Sequence, residues 1–440
     1  MKKKDKMHIG VQELDPESAY IVQPVDKRQP SERDISYIIE EIGGLARAID
    51  LVVAETRVVN YSKIHAGSFF GKGTRAEIAE DIKAHTPSIV IVNCSLSPIQ
   101  QRNLETEWGA KVIDRTGLIL EIFGARAQTK EGLLQVELAA MDYQKSRLVR
   151  SWTHLERQRG GSGFMGGPGE RQIELDRRII STRITKLKKE LEDVRRTRDL
   201  GKKSRQRVPF PIISLVGYTN AGKSTLFNNI TNADVFAKDL LFATLDPTMR
   251  RITLPQNQEA ILADTVGFIS DLPTHLISAF RATLEQITEA DVIIHVIDAS
   301  RKDYMAQKND VIQILKDLGV DYNKDERIIE VFNKVDLLDD ETVNGFINCN
   351  KYTDIPKILV SAHKGMGVTA LLEHVAEITA KNCKEVQFNI DITNGKAIAW
   401  LYSNGEVIAR HDTEDLVEIS LRLDTAELKK FQKNFGYNPV

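Results

Sequence analysis

Residues 217–225 read GYTNAGKST, and no other segment limits the fold of this chain so tightly. Gly217, Gly222, Lys223 and Ser224 carry the G-x-x-x-x-G-K-[ST] spacing of a phosphate-cradling loop, which works only between a strand and a helix. Residues 211–216 (PIISLV) are strand-like and 226–230 begin an apolar helical pattern, so both neighbours fall where they are needed. An ordinary glycine turn would require neither. Glycines let backbone wrap a phosphate chain, while amides and the following helix N-terminus supply positive potential. Gly217, Tyr218, Thr219, Asn220, Ala221, Gly222, Lys223, Ser224 and Thr225 are therefore expected to hold a nucleoside triphosphate. Lys223 would reach the β- and γ-phosphates, and the Ser224 hydroxyl would ligate a Mg2+ ion bridging them.

The base is expected to be chosen downstream. Asn333, Lys334, Val335 and Asp336 (NKVD) close the apolar run RIIEVF, which reads as a buried strand opening into a loop. A carboxylate at Asp336 can accept both N1–H and the N2 amino group of guanine, whereas adenine offers neither donor. Sites built to satisfy such groups reject the wrong ligand by orders of magnitude. Lys334 is placed along the base plane, and Asn333 is expected to tie this loop to the phosphate loop. Ser361, Ala362 and His363 follow KILV, where the Ala362 amide can meet guanine O6. NKVD alone arises often by chance; in this order after GYTNAGKS it points to GTP and GDP.

The chemistry lies between these pieces. Asp264, Thr265, Val266 and Gly267 (DTVG) end the strand-like EAILA, with Asp264 placed to hold the Mg2+ shell and the Gly267 amide to sense the γ-phosphate. Phe242, Ala243, Thr244, Leu245 and Asp246 (FATLD) lie in an irregular stretch, where Thr244 is the candidate second hydroxyl ligand to the metal. Segments held only by γ-phosphate and metal contacts order with triphosphate and relax after hydrolysis. Phe268 follows Gly267 at the place where signalling GTPases carry a glutamine that orients the attacking water. A phenyl ring cannot do this, so intrinsic turnover should be slow and the catalytic group is not identified by sequence. Asn220 is either a turn-favouring asparagine or a ligand for a K+ ion beside the phosphates.

At 440 residues the chain should hold two to four domains. Its composition is ordinary and globular, with 42% hydrophobic and 28% charged residues and a net charge of −2, which leaves nucleic-acid binding to local clusters. Cys94, Cys349 and Cys383 match no metal or redox spacing, as in a reducing compartment. The opening MKKKDKM runs into polar sequence, not an apolar stretch, and no apolar run reaches the length of a membrane span. A cytoplasmic monomer is expected, with association to the membrane periphery left open.

Residues 19–128 alternate strand-like and helix-like segments, the pattern of a small α/β domain with a parallel sheet. The helix within 31–49 is expected to start on Ser31 with Glu32. GSFFGKG (67–73) is either a tight turn or a second phosphate loop, but Gly73 stands where Ser or Thr would be needed. From Glu131 onward Leu134, Leu138, Met141, Lys145, Leu148, Trp152 and Leu155 step by three and four; after the glycine-rich break Ile173, Ile180, Ile184, Leu187, Leu191 and Val194 repeat the pattern. Two long helices in an antiparallel hairpin follow. Their junction, GGSGFMGGPG (160–169), is glycine-rich and flanked by Arg157, Arg159, Arg171, Arg177 and Arg178, with Phe164 and Met165 inside it. It is a flexible connector or an RNA-contacting tip, in which Arg157, Arg159, Phe164 and Arg171 are the candidates. RRTRDLGKKSRQR (195–207) adds a second basic cluster at the other end of the rod, which favours structured RNA.

The expected fold class is α/β: a doubly wound P-loop GTPase sheet over 208–381. A flexible N-terminus (1–18), the small α/β domain (19–130) and the hairpin (131–207) precede it; a small α+β domain (382–440) follows. Together GLLQVELAAMDYQKSRL, GGSGFMGGPGERQIELDRR, GYTNAGKST, LFATLDPT, DTVGF and NKVD resemble HflX, a family of bacterial translational GTPases. So do IVNCSLSPIQQRNLE and VIDRTGLILEIFGARAQTKEGLLQVELA, which extends the likeness over roughly residues 20–380. The resemblance implies that the N-terminal parts grip the large ribosomal subunit and that the glycine-rich tip reaches its rRNA near the peptidyl-transferase region. It also implies splitting of stalled ribosomes under stress, with GTP hydrolysis releasing the factor. A ribosome-assembly or rRNA-binding switch without splitting activity is the alternative; a tRNA-modifying GTPase is disfavoured because no cysteine is placed for it.

Overall fold

Short β-branched runs separated by amphipathic helices have one economical outcome, a parallel sheet with helical crossovers. A computed structural model describes residues 17–28, 33–158, 168–205, 210–232, 242, 248–270, 284, 287–349, 355–413 and 415–440. They divide into two units, one within Met1–Ile122 and Val149–Gly160, the other within Phe123–Leu148 and Gly161–Val440.

In the first unit β1 (Ser18–Asp26), β2 (Val52–Tyr61), β3 (Ile89–Val92) and β4 (Lys111–Asp114) form a parallel sheet in the order β2-β1-β3-β4. The crossovers are α1 (Ile35–Arg47), α2 (Lys72–His85) and α3 (Pro98–Trp108). All four residues of β3 are buried, which is why it reads IVIV without alternation. Ser97 and Gln100 cap α3 reciprocally, and Pro98 supplies a first-turn residue with no amide to satisfy. The start of α1 differs from expectation. Its cap is Asp34, whose Oδ1 accepts from the Ser36 amide at 2.9 Å; Ser31 and Glu32 lie outside the described residues. Asp34 directly precedes the first helical residue, where a carboxylate meets both the orphan amides and the positive helix end. Around GSFFGKG, His65 and Phe69 exchange backbone hydrogen bonds of 3.0 and 2.9 Å, and Phe69 and Phe70 are buried. The geometry is that of a tight turn.

Three helices follow, the last two long: α4 (Arg115–Arg126), α5 (Lys130–Gln158) and α6 (Pro168–Arg205). Leu134 and Leu138 of α5 share a seam with Ile184 and Leu187 of α6, flanked by Met141, Ile180, Leu191 and Val194. Beside it Arg183 Nε donates to Glu137 Oε1 at 2.8 Å. This seam is the heptad-like apolar stripe of the sequence.

The central sheet has the order β10-β9-β8-β5-β7-β6, from β5 (Ile212–Gly217), β6 (Thr248–Thr253), β7 (Glu259–Asp264), β8 (Val292–Asp298), β9 (Ile328–Asn333) and β10 (Lys357–Leu359). Five strands are parallel, but β6 runs antiparallel to β7. The doubly wound sheet is the one expected, with β6 as an antiparallel edge strand. Only residues 254–258 join β6 to β7, closed by Leu254 N donating to Gln258 O at 2.7 Å, and so short a link cannot carry a crossover. Because β5 has later strands on both sides, the chain reverses its winding there. Ligands of such sheets bind outside the strand C-termini at this reversal, and Gly217, Asp264, Asp298 and Asn333 all lie at strand C-termini. Every residue of β8 and β9 is buried, including His295 and Glu330. Burial lowers the His295 pKa to about 3, so the neutral ring donates from Nδ1 to the Tyr322 hydroxyl, which donates to Glu330.

At the C-terminus β11 (Cys383–Asp391), β12 (Glu406–Asp412) and β13 (Leu416–Asp424) form an antiparallel sheet in the order β11-β13-β12. Alternate residues Val417, Ile419 and Leu421 are buried with Phe388 and with Phe431 of helix Thr425–Phe435, as a one-sided sheet requires. Among the described residues, no helix is long and apolar enough to cross a membrane. Leu187 is fully buried in the hairpin seam, so Leu187→Ala should cost about 2–5 kcal/mol. Hydrogen exchange at the α5 and α6 amides should quicken accordingly, whereas unchanged exchange would mean that the seam does not hold the helices.

Candidate nucleotide-binding site

β5 ends at Gly217 and α7 (Lys223–Thr231) begins six residues later, so the loop between them is short and must turn sharply. Two glycines make this possible. At Gly217 a Cβ would stand 2.2 Å from Val296 O on the neighbouring strand; at Gly222, with φ +93°, one would stand 2.2 Å from Asn333 Nδ2. A larger residue at either place would push the loop off the sheet. Asn220 is left-handed at φ 59° and exposed, as its turn chemistry allows. Lys223 lies over the loop, with Nζ donating to Gly217 O at 3.0 Å and Tyr218 O at 2.8 Å. Burial lowers its pKa to about 8, with Asp264 pulling in the other direction. A bound phosphate chain would oppose that shift by adding negative charge.

Ser224 and Asp264 come together at the mouth of α7, the Ser224 hydroxyl donating to Asp264 Oδ2 at 2.7 Å. A hydroxyl and a carboxylate are hard oxygen donors of the kind Mg2+ takes, and the fold class generally binds its nucleotide with this ion. Thr265 turns inward, its hydroxyl donating to Leu215 O at 2.6 Å, and Val266 is buried. Gly267 and Phe268 then run alongside the phosphate loop: Phe268 N donates to Gly217 O at 3.1 Å and Thr219 N to Phe268 O at 2.7 Å. The Phe268 ring is 2% exposed and belongs to the core. Of FATLD, only Phe242 is described. It is left-handed at φ 57° and packs edge-on against Phe123 of α4, with ring centroids 4.7 Å apart. Ala243, Thr244, Leu245 and Asp246 lie outside the described residues.

The loop expected to read the base is built on Asn333, at the end of β9. Its Nδ2 donates to Ala221 O and its Oδ1 accepts from Ala362 N, both at 2.9 Å. Asn229 Nδ2 adds a bond to Ala362 O at 3.2 Å. Asp336 accepts from the Ser361 hydroxyl at 2.7 Å, and this bond is the main reason its pKa is lowered. Ser361 Oγ also accepts from the Lys364 amide, closing the turn that exposes His363. Lys334 is left-handed at φ 64°, and its Nζ pairs with Asp298 Oδ2 at 2.8 Å. Asp298 belongs to none of the sequence motifs; it follows VIIHVI at the tip of a buried strand. Val335 N bonds Val360 O at 3.4 Å. Of the RNA candidates, Arg157 lies in α5 and Arg171 in α6; Arg159 and Phe164 lie outside the described residues.

Comparison with known proteins follows the same order along the chain. Family models match at 36–124 (GTP-binding GTPase N-terminal), 126–205 (GTP-binding GTPase Middle Region), 212–334 (50S ribosome-binding GTPase) and 350–440 (HflX C-terminal domain). GTPase HflX of Magnetococcus marinus is 43% identical over 417 residues, 95% of each chain. The chain belongs to the HflX family. GTPase HflX of Escherichia coli is 47% identical over 315 residues, 71% of this chain and 72% of that protein. A GTP-binding protein of the archaeon Sulfolobus solfataricus, solved in complex with GDP, is 24% identical with a TM-score of 0.44, covering 83% of this chain and 99% of that one. As an HflX-family member the chain is a GTPase, and GTP and GDP are its ligands. Asp336→Asn exchanges an acceptor pair for a donor at the base loop. It should weaken GTP binding at least about a hundredfold and improve binding of xanthosine triphosphate; a nucleotide titration that finds GTP preference retained would remove Asp336 from the base site.

Proposed function

We propose that this chain is a ribosome-associated GTPase that binds the large ribosomal subunit, splits stalled ribosomes under stress and hydrolyses GTP to release. The observation that carries this is Phe268: buried and backbone-paired to the phosphate loop, it offers no group to orient water. A site lacking that group fits a slow intrinsic enzyme whose partner completes it. The family description 50S ribosome-binding GTPase over 212–334 names the partner class. Residues 217–225, 242–246, 264–267, 333–336 and 361–363 would hold the nucleotide; Ser224 and Thr244 would ligate Mg2+, and Asn220 would take a K+ ion beside the phosphates.

The domain plan that goes with this is a flexible 1–18, an α/β domain at 19–130, a hairpin at 131–207, the GTPase domain at 208–381 and a C-terminal domain at 382–440. Arg157, Arg159, Phe164 and Arg171 at the hairpin tip would meet rRNA, with guanidiniums on phosphate oxygens and the ring on an unstacked base. The protein would act as a cytoplasmic monomer.

The deciding experiment is GTP turnover by the purified chain, alone and with large ribosomal subunits, in K+ and in Na+ buffer. Stimulation by the subunits of at least about tenfold is expected, with K+ above Na+, and sedimentation should show intact ribosomes parting into subunits. Turnover indifferent to the subunits would refute the ribosomal reading, and stimulation without splitting would leave only the assembly switch.

A further inference from the structure

Thr219 is buried in the phosphate loop, 6% exposed, and its hydroxyl has no hydrogen-bond partner among the described residues. Buried hydroxyls are nearly always paired, so an orphan inside a ligand site marks where the ligand supplies the partner. The surroundings tell which part of the ligand this is. Thr219 N is held by Phe268 O at 2.7 Å, and the next turn is pinned by Ser270 N donating to the Tyr218 hydroxyl at 3.0 Å. A Cβ built on Gly267 would lie 2.8 Å from Thr219 Cγ2 and 3.2 Å from Lys223 Nζ. Thr219, Gly267 and the Lys223 ammonium therefore border one small space. Lys223 is the cation of the loop, and Gly267 opens the segment that follows the metal-shell carboxylate. The start of α7, where the other phosphates would be cradled, lies further along the loop.

We propose that the Thr219 hydroxyl donates a hydrogen bond to an oxygen of the terminal phosphate of bound GTP and so sets the preference for GTP over GDP. This rests on the assignment of residues 217–225 to the phosphate chain. A phosphate oxygen accepts but cannot donate, and a hydroxyl has one hydrogen to give, so the pair is chemically matched and charge-assisted. Glutamine-bearing GTPases place a second polar group near this phosphate. Here Phe268 is packed in the core and Thr219 supplies a hydroxyl from the loop itself. Once the terminal phosphate departs, the hydroxyl loses its partner, which favours loosening of the product state. Tyr218 and Ser270 act as positioning residues that hold the two backbone segments in register.

Thr219→Val keeps the branched shape and removes only the hydroxyl; Thr219→Ser keeps the hydroxyl. Titration of the full chain with GDP and with the non-hydrolysable β,γ-imido analogue of GTP, in Mg2+, reads the effect. For Thr219→Val the analogue should bind about tenfold more weakly while GDP stays within about twofold, and Thr219→Ser should restore the difference. The ligand-free valine variant should melt no lower than the parent, because it has lost an unpaired hydroxyl rather than a bond. Thr219→Ala repeats the measurement if valine disturbs folding. Equal losses for both nucleotides, or no loss for either, would overturn the proposal. Failure of the unmodified chain to bind GDP would instead defeat the loop assignment beneath it.

Discussion

One side-chain amide holds the nucleotide site together. Asn333 is 2% exposed at the tip of β9; it donates to the phosphate loop at Ala221 and accepts from the third loop at Ala362. Its two polar atoms are satisfied by backbone groups that are 112 and 29 residues away in sequence. Each bond contributes modestly in net terms, about 0.5–1.5 kcal/mol, but removing the amide would orphan a buried carbonyl and a buried amide at roughly 1–3 kcal/mol each. Gly222 belongs to the same device, since a Cβ there would stand 2.2 Å from Asn333 Nδ2. Loops that look independent in sequence meet at this residue, with Asn229, Asp336 and Val335 adding ties to the third loop.

The sheet beneath explains why one residue can do this. Parallel strands bring the ends of β5, β7, β8 and β9 to one edge, so Gly217, Asp264, Asp298 and Asn333 emerge side by side. Polar groups at that edge are then paired off: Ser224 with Asp264, Lys334 with Asp298, Ser361 with Asp336. Phe268, directly after DTVG, serves the core with its ring and the loop with its backbone.

Much of this was legible in the sequence for a physical reason. The phosphate loop, DTVG and NKVD each combine a buried apolar strand with a polar exit, and both halves leave a mark on the residue pattern. The hairpin seam was visible as well, since Leu134, Leu138, Ile184 and Leu187 keep helical spacing. What escaped was non-local or depended on a single contact. The direction of β6 is set by the brevity of its turn to β7, and apolar pattern carries no strand direction. Asp298 meets Lys334 only because β8 and β9 are neighbours, and Phe242 meets Phe123 across 119 residues of chain. Asp34, not Ser31, caps α1 because the cap must adjoin the first helical turn.

Titration of GDP into the Asn333→Ala chain beside the unmodified chain tests most directly whether one amide organises the site. The predicted result is a Kd raised at least about thirtyfold with far-ultraviolet circular dichroism unchanged, the loss expected from two orphaned backbone groups. A Kd within about twofold of the unmodified chain would contradict it, showing that the phosphate loop and the base loop keep their geometry without the tie.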